Sequence, residues 1–329
     1  MPDGQSTQGK ESKRRRLFAN ASPGARAWRR LAKNKLAVMG LALSCIIALA
    51  SLVGPEIIER TTGYTYEYMP RDPQLMKSFA PFTGPDNSFS WQHPMGTDNM
   101  GRDLLVRVLM GGQISLMVGV VSATVSLLIG VSYGATAGYV GGHIDGVMMR
   151  IVDVLYAIPY MIIVIVLLKF FGGSSFFSGY GLAAGGSELI LLFVALGAVS
   201  WLTMARIVRG QVMSLKHREF VLAARATGVS TPKIIFKHVV PNTLGPVIVY
   251  ATLTVPQVML QESFLSFLGL GVQAPLASWG SLSAEGIRNI AIYPWQLIFP
   301  GMTMALTLFS LNFLGDGLRD ALDPQTRKF

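Results

Sequence analysis

Between His93 and Arg107 the chain carries Asp98, Arg102, Asp103 and Arg107, a concentration of side chains able to exchange protons. Charges at the start of a helix more often cap it and pair locally, and Asp98 or Asp103 stands where such a start is expected. The flanking apolar segments offer no cofactor site, so a structural role is preferred here over catalysis. Arg150 and Asp153 invite a proton-relay reading as well, but at a spacing of three on a helix they can simply pair with each other. The histidines His93, His143, His217 and His238 lack zinc-ligand spacing, and the lone Cys45 lies in an apolar run, which argues against a metal site or a cysteine nucleophile. No Gly-x-x-x-x-Gly-Lys-[Ser/Thr] occurs, so the chain does not cradle nucleotide phosphates by that device and is expected to bind no cofactor itself.

The elements around these residues are overwhelmingly apolar. The 329 residues are 51% hydrophobic and only 14% charged, with a mean hydropathy of +0.45. This composition excludes disorder, and one cysteine excludes a disulfide scaffold. A bilayer core about 30 Å thick needs about 20 apolar residues in a helix. Six segments qualify or come close: residues 36–53, 114–140, a segment centred on 154–168, 189–205, 243–260 and about 292–314. An all-α polytopic membrane protein with six transmembrane helices is expected.

The formal charge of +10 suits nucleic acid, a membrane surface or an uneven distribution across a membrane, and its placement decides. Residues 1–35 hold ten Lys or Arg and two acids, 54–112 hold five and seven, and 206–242 hold seven and one, Glu219. With six spans the two basic segments share a side, which the positive-inside rule makes cytoplasmic, along with both termini. The charge is therefore read as topology and not as a nucleic-acid footprint. The alternative of a cleaved signal ending near Ala48-Leu49-Ala50 fails because 35 residues is too long for its charged region and more spans follow. The expected organisation is a basic N-terminal segment (1–35), with disorder over Gly4 to Arg16 and attraction to anionic membrane lipid. The first span (36–53), an irregular extracytoplasmic loop rich in Pro and Tyr (54–112), a five-helix core (113–314) and a cytoplasmic tail (315–329) follow.

Within the core, residues 212–242 read as an elbow. A helix through Val212 to Ala226 places Val212, Leu215, Glu219, Leu222, Ala223 and Ala226 on one face. Gly228 ends it, Thr231-Pro232 begins a short second helix, and Pro241-Asn242 breaks the chain before the fifth span. The small residues Ala223, Ala224 and Gly228 suit a docking surface, and an amphipathic loop lying on lipid is the alternative. On the fifth span, Thr243, Tyr250, Thr254, Gln257 and Gln261 form a polar stripe. Polar groups in lipid are costly, so the stripe faces either a solute path or a neighbouring helix. Pro246 and Pro256 suggest a bend there.

The elbow resembles the coupling motif of ABC importer permeases, Glu-Ala-Ala, three residues, Gly, nine residues, Ile-x-Leu-Pro. Ala223, Ala224, Gly228 and Pro241 match it, while Leu222, His238 and Val240 replace Glu, Ile and Leu, and Glu219 stands three positions upstream. HPMGTDNMGRDLLVRVLMGGQISLMVG (93–119), ESFLSFLGLGVQAPLASWG (262–280) and LGDGLRDALDP (314–324) are similar to the C-type subunit of oligopeptide and dipeptide permeases.

The resemblance implies the type I ABC importer permease fold in a bacterial inner membrane. It also implies a B-type permease partner, two ABC ATPase subunits that hold ATP and Mg, and an extracytoplasmic peptide-binding protein. By this likeness Glu219, Leu222, Ala223, Ala224, Gly228, His238 and Pro241 meet an ATPase subunit. Thr243, Tyr250, Thr254, Gln257 and Gln261 line the path, and oligopeptides are carried. Dipeptides, nickel chelates or peptide-like antibiotics are the alternatives. The stretch from Leu268 to Gly271 with Trp279 would form the outer end of the path or meet the binding protein, with Trp279 alternatively an interfacial anchor. An ion-gradient-driven transporter would want inverted repeats or buried carboxylates near mid-membrane, and neither is visible in the sequence. A membrane enzyme would want clustered titratable groups at one depth.

Overall fold

Apolar runs free of charge can enter hydrocarbon only as structures that satisfy their own backbone, and here they form helices. A computed structural model describes residues 23–73, 75–84, 86–171 and 186–322. The expectations for Gly4 to Arg16, for Pro85 and for residues 323–329 lie outside them. Among the described residues there are helices and two isolated bridges, and no strand. In order they are α1 (Pro23–Leu31), α2 (Lys35–Thr62), α3 (Leu104–Val140), α4 (Gly142–Ala157), α5 (Tyr160–Phe171), α6 (Gly186–Leu215), α7 (Glu219–Ala226), α8 (Thr231–Phe267), α9 (Trp279–Arg288) and α10 (Trp295–Leu322).

Five of these, α2, α3, α6, α8 and α10, are long and apolar enough to cross a membrane. The expected third span is a broken pair, α4 and α5, bent by 87° at Ile158-Pro159. Ile158 is extended there (φ −81°, ψ 129°), the conformation that a following proline favours.

Two expected boundaries move. The first span continues to Thr62 through Pro55, and α3 starts at Leu104, so the irregular loop is shorter than 54–112. Pro55 has no N–H for the Ser51 carbonyl one turn back, yet the helix does not break. The Gln113 side-chain amide of α3 donates to that carbonyl at 2.8 Å. The proline gap in one span is filled by a side chain of the next.

Lipid supplies no hydrophobic drive between helices, so close backbone approach has to hold them. Gly130, Gly134 and Gly138 of α3 lie one turn apart and face α6. A Cβ at Gly130 would come 2.6 Å from Met204 Cβ, one at Gly134 would strike the Ala205 carbonyl, and one at Gly138 would meet the Arg209 carbonyl at 2.8 Å. At the same seam the Arg209 guanidinium grips the Asp145 carboxylate of α4 with two hydrogen bonds of 2.5 and 2.6 Å. Helices α2 and α10 meet similarly: a Cβ at Gly40 would meet Phe313 Cβ at 3.0 Å, and the Ser44 and Ser310 hydroxyls bond at 2.8 Å.

The charges of the stretch 93–107 pair locally, as expected. Asp98 receives hydrogen bonds from Arg102 Nε (2.6 Å) and Arg107 Nη1 (2.7 Å), and its other oxygen takes the Met100 and Arg102 backbone N–H groups. Asp103 caps α3 by accepting from the Val106 N–H, and its second oxygen pairs with His93 Nδ1 at 2.7 Å. Gln296 at the start of α10 donates to Ser78 Oγ and Asn99 Oδ1, which ties this knot to the last span.

Two variants test these ties in the purified protein. Gln113→Leu should lower unfolding stability by about 1–3 kcal/mol by orphaning a buried carbonyl. In a Pro55→Ala background, where an N–H returns, most of that loss should disappear; equal losses in both backgrounds would contradict the compensation. Gly134→Val should destabilise by about 1–3 kcal/mol through overpacking, whereas Gly210→Ala on α6, with no atom within 4 Å of the added carbon, should not.

Candidate functional site

The elbow is built by anchoring one side of a short helix and leaving the other bare. Val221 and Ala224 of α7, with Ile234, Ile235 and Val239 of α8, bury against Ala135, Tyr139, Met204, Val208 and Val212 of α3 and α6. Arg225 donates to the Tyr139 hydroxyl at 3.2 Å and adds a polar tie to α3. On the opposite side Glu219, Leu222, Ala223 and Ala226 share an exposed face, and Leu222 is 46% exposed. Phe236, 51% exposed, stands beyond Gly228 on the next helix.

The expected face is thus partly reproduced and partly corrected. Val212 and Leu215 do not belong to it, because α6 ends at Leu215 and the chain turns at 216–218 before α7 begins. Val212 is buried and Leu215 packs on the core beneath the elbow. Ala224 points inward, so it anchors the elbow instead of presenting a surface.

Gly228 has φ +77°, and its N–H donates to the Arg225 carbonyl at 3.0 Å while the Val229 N–H reaches Ala224. The left-handed backbone, not crowding, requires glycine, since no atom lies within 4 Å of an added Cβ. Proline falls in the first turn as expected, but the cap position is taken by Ser230, and Thr231, expected there, is already helical.

Pro241 does not break the chain, contrary to expectation. Residues Ile234–Val239 form a π-helical turn that runs directly into Val240–Phe267. The wider turn ends with the Val240 N–H bonded to the Ile235 carbonyl, and Pro241 falls in the first turn of the resumed α-helix, where its missing N–H matters least. The Asn242 side-chain amide donates to the His238 carbonyl at 2.6 Å across the same junction. His238 is half-buried and Pro241 exposed. The second arm of the elbow and the fifth span are therefore one continuous helix, which also runs through Pro246 and Pro256.

That helix carries the polar stripe, and the stripe divides. Thr243 and Thr254 are buried and return their hydroxyls to the Val240 and Tyr250 carbonyls of their own helix, at 2.8 Å each. Tyr250, Gln257 and Gln261 open into a cleft of about 370 Å³. Its other walls are the α4–α5 break (Tyr156, Pro159, Tyr160) and α6 (Ser200, Thr203). Among the described residues lining the cleft none is charged. Tyr250 also lines a second hollow of about 440 Å³ between α6, α8 and α10, with Gln211 and Arg319 at its polar side.

Two sequence expectations fail near this region. Asp153 pairs with Arg206 of α6 at 2.7 Å and not with Arg150, because the neighbouring helix presents the nearer cation. Trp279 is not an anchor in the interface or a path residue: it is fully buried, and its indole donates to the Val108 carbonyl at 2.8 Å. A buried carboxyl lies just beyond the residues 243–260 read as the fifth span. Glu262 is fully enclosed near the end of α8 remote from the elbow, where Ser266 and Ser278 each donate to one of its oxygens at 2.6 Å. Ser278 caps α9, so Glu262 fastens the loop after α8 to that helix. The run of three glycines four apart on α3 was a readable signal for the α3–α6 seam, whereas nothing in the pattern around Glu262 marked its partners.

Comparison with known proteins gives the same architecture a lineage. The sequence model of the family described as binding-protein-dependent transport system inner membrane component matches residues 127–328. A second, the N-terminal TM domain of oligopeptide transport permease C, matches residues 22–85. The chain is 48% identical over 301 residues to the oligopeptide transport system permease protein OppC of Escherichia coli K12, covering 92% of this chain and 91% of that one. It is 46% identical to the protein of the same name from Haemophilus influenzae (92% and 88% covered). It is also 43% identical to the dipeptide transport system permease protein DppC of Bacillus subtilis (92% and 86%). With its membrane-length helices and a family match over more than half its length, this chain belongs to the inner-membrane components of binding-protein-dependent transport systems.

Proposed function

We propose that this chain is the C-type permease subunit of an ATP-driven peptide importer, with oligopeptides as its cargo. The observation that carries the mechanism is the continuity of the elbow with the cleft helix. A push on the face of Leu222, Ala223 and Phe236 acts on a body anchored through Val221, Ala224 and Ile234, and that body includes the helix bearing Tyr250, Gln257 and Gln261. Displacement at the elbow therefore reaches the cleft wall without crossing a flexible joint, as coupling through a two-state element requires.

In this reading two ATPase subunits, which hold ATP and Mg, dock beneath the elbow, and this chain performs no chemistry of its own. A B-type permease supplies the other half of the path, and an extracytoplasmic binding protein delivers the peptide. Both termini face the cytoplasm, in keeping with the basic excess of 1–35 and 206–242 over the acidic 54–112. The chain would adopt the type I ABC importer arrangement, with the α4–α5 pair counted as a span. The identities to OppC and DppC proteins favour peptides as cargo, and oligopeptides are preferred because the model matching residues 22–85 is that of oligopeptide transport permease C.

Purification of the intact complex through a tag on this chain should retain ATPase subunits; isolation of the chain alone under mild detergent would contradict the reading. Gly228→Val should reduce both peptide uptake and peptide-stimulated ATPase activity several-fold, because a β-branched residue in the left-handed conformation is strained by about 1–2 kcal/mol. Gly228→Asn, which tolerates that conformation, should keep both. Normal coupling in the valine variant would remove the elbow from the mechanism.

A further inference from the structure

The cleft that Tyr250, Gln257 and Gln261 open into is polar but neutral, and a peptide entering it brings a terminal carboxylate that loses part of its hydration. A cation stands one helical turn beyond the lining of the cleft, on the side toward the elbow. Arg206 follows Thr203, a cleft residue, by one turn of α6 and precedes Ile207, which lines the second hollow. Its guanidinium lies over the ring of Tyr156, another cleft residue, at 4.3 Å. That cation–π contact holds the guanidinium against the ring.

The two arginine–aspartate ties on this helix differ in kind. Arg209 holds Asp145 through two parallel bonds, and Asp145 is buried, so that pair is a closed structural clamp. Arg206 gives Asp153 a single bond, from Nη2 at 2.7 Å, and the two side chains are 40% and 57% exposed. A guanidinium has five donors, and an exposed single-bonded pair is held weakly, so Arg206 can exchange Asp153 for another carboxylate at little cost.

We propose that Arg206, oriented by Tyr156 and parked on Asp153 when the cleft is empty, is the subsite that receives a carboxylate of the transported peptide as it passes Tyr250. The inference rests on the reading of this chain as a peptide permease. The carboxylate could be the chain terminus or an acidic side chain, and the terminus is the group common to all unblocked peptides.

The test uses the complete transporter in proteoliposomes with an unaltered binding protein, and three probes: trialanine, trialanine amide and Ala-Glu-Ala amide. Because the same binding protein delivers each probe to every variant, its own preferences cancel in variant-to-wild-type ratios. Arg206→Gln should lower uptake of trialanine about tenfold and leave trialanine amide within about twofold. Loss for Ala-Glu-Ala amide as well would extend the subsite to side-chain carboxylates; unchanged uptake would confine it to the terminus, and both results support it. Asp153→Asn should keep trialanine uptake at the wild-type level or above, since the arginine is then released. Equal losses for the acid and its amide in Arg206→Gln, or no loss for either, would overturn the proposal. So would an Asp153→Asn variant that fails with both probes, because the pair would then be only a structural tie. A wild-type complex that takes up none of the three, while retaining its ATPase subunits, would instead remove the peptide reading and the subsite with it.

Discussion

Hydrocarbon offers no hydrogen bonds to a peptide backbone, and three departures from regular helix among the described residues sit where some other group, a wider turn or a cavity answers for them. At Pro55 the orphaned Ser51 carbonyl is met by Gln113 of the next helix. At Pro241 the ladder widens into a π turn just upstream, so proline enters at a position that needs no N–H. At Ile158-Pro159 the break stays unfilled by another helix and instead forms a wall of the cleft. The first two departures preserve the continuity of a span, and the third creates space within the fold.

Rigidity follows from the same solvent. Helices in lipid gain little by hiding apolar surface from one another, so their association depends on close contact and satisfied polar pairs. The glycines at 130, 134 and 138 bring α3 against the backbone of α6, and the Arg209–Asp145 clamp closes that seam toward the elbow. Onto this double helix the elbow is seated through Val221, Ala224 and Ile234. Its bare side is accordingly a surface on a stiff body, and the stiff body continues into the wall of the cleft. At the other end Glu262, Ser278 and the Asp98–Arg107 knot fasten the connecting loops to α3, α9 and α10.

Much of this was legible in the residues themselves. Apolar length determined the helical membrane fold. The exposed set Glu219, Leu222, Ala223 and Ala226 followed from helical periodicity, and the left-handed Gly228 from its place after an apolar helix. The cap at Asp103 was legible too, because that residue precedes an apolar run in the position of a cap. The break at Pro159 and the glycine repeat on α3 were also written in the sequence, as a residue type that resists helix and a four-residue spacing that permits contact.

Which partner each polar group would take was decided only by the tertiary structure. Asp153 had Arg150 one turn away on its own helix, yet the seam with α6 delivers Arg206 instead. The stripe on the fifth span is uniform by periodicity, but Thr243 and Thr254 turn back to their own carbonyls while Tyr250, Gln257 and Gln261 face open space, since only the break in α4–α5 determines where space exists. Glu262 takes one bond from Ser266, a turn away on its own helix, but the other from Ser278, sixteen positions on, which no local pattern reveals. Local sequence determines the helices because backbone bonds and apolar faces are short-range properties. Burial, pairing and cavities depend on which helices meet, and that is decided by packing among surfaces distant along the chain.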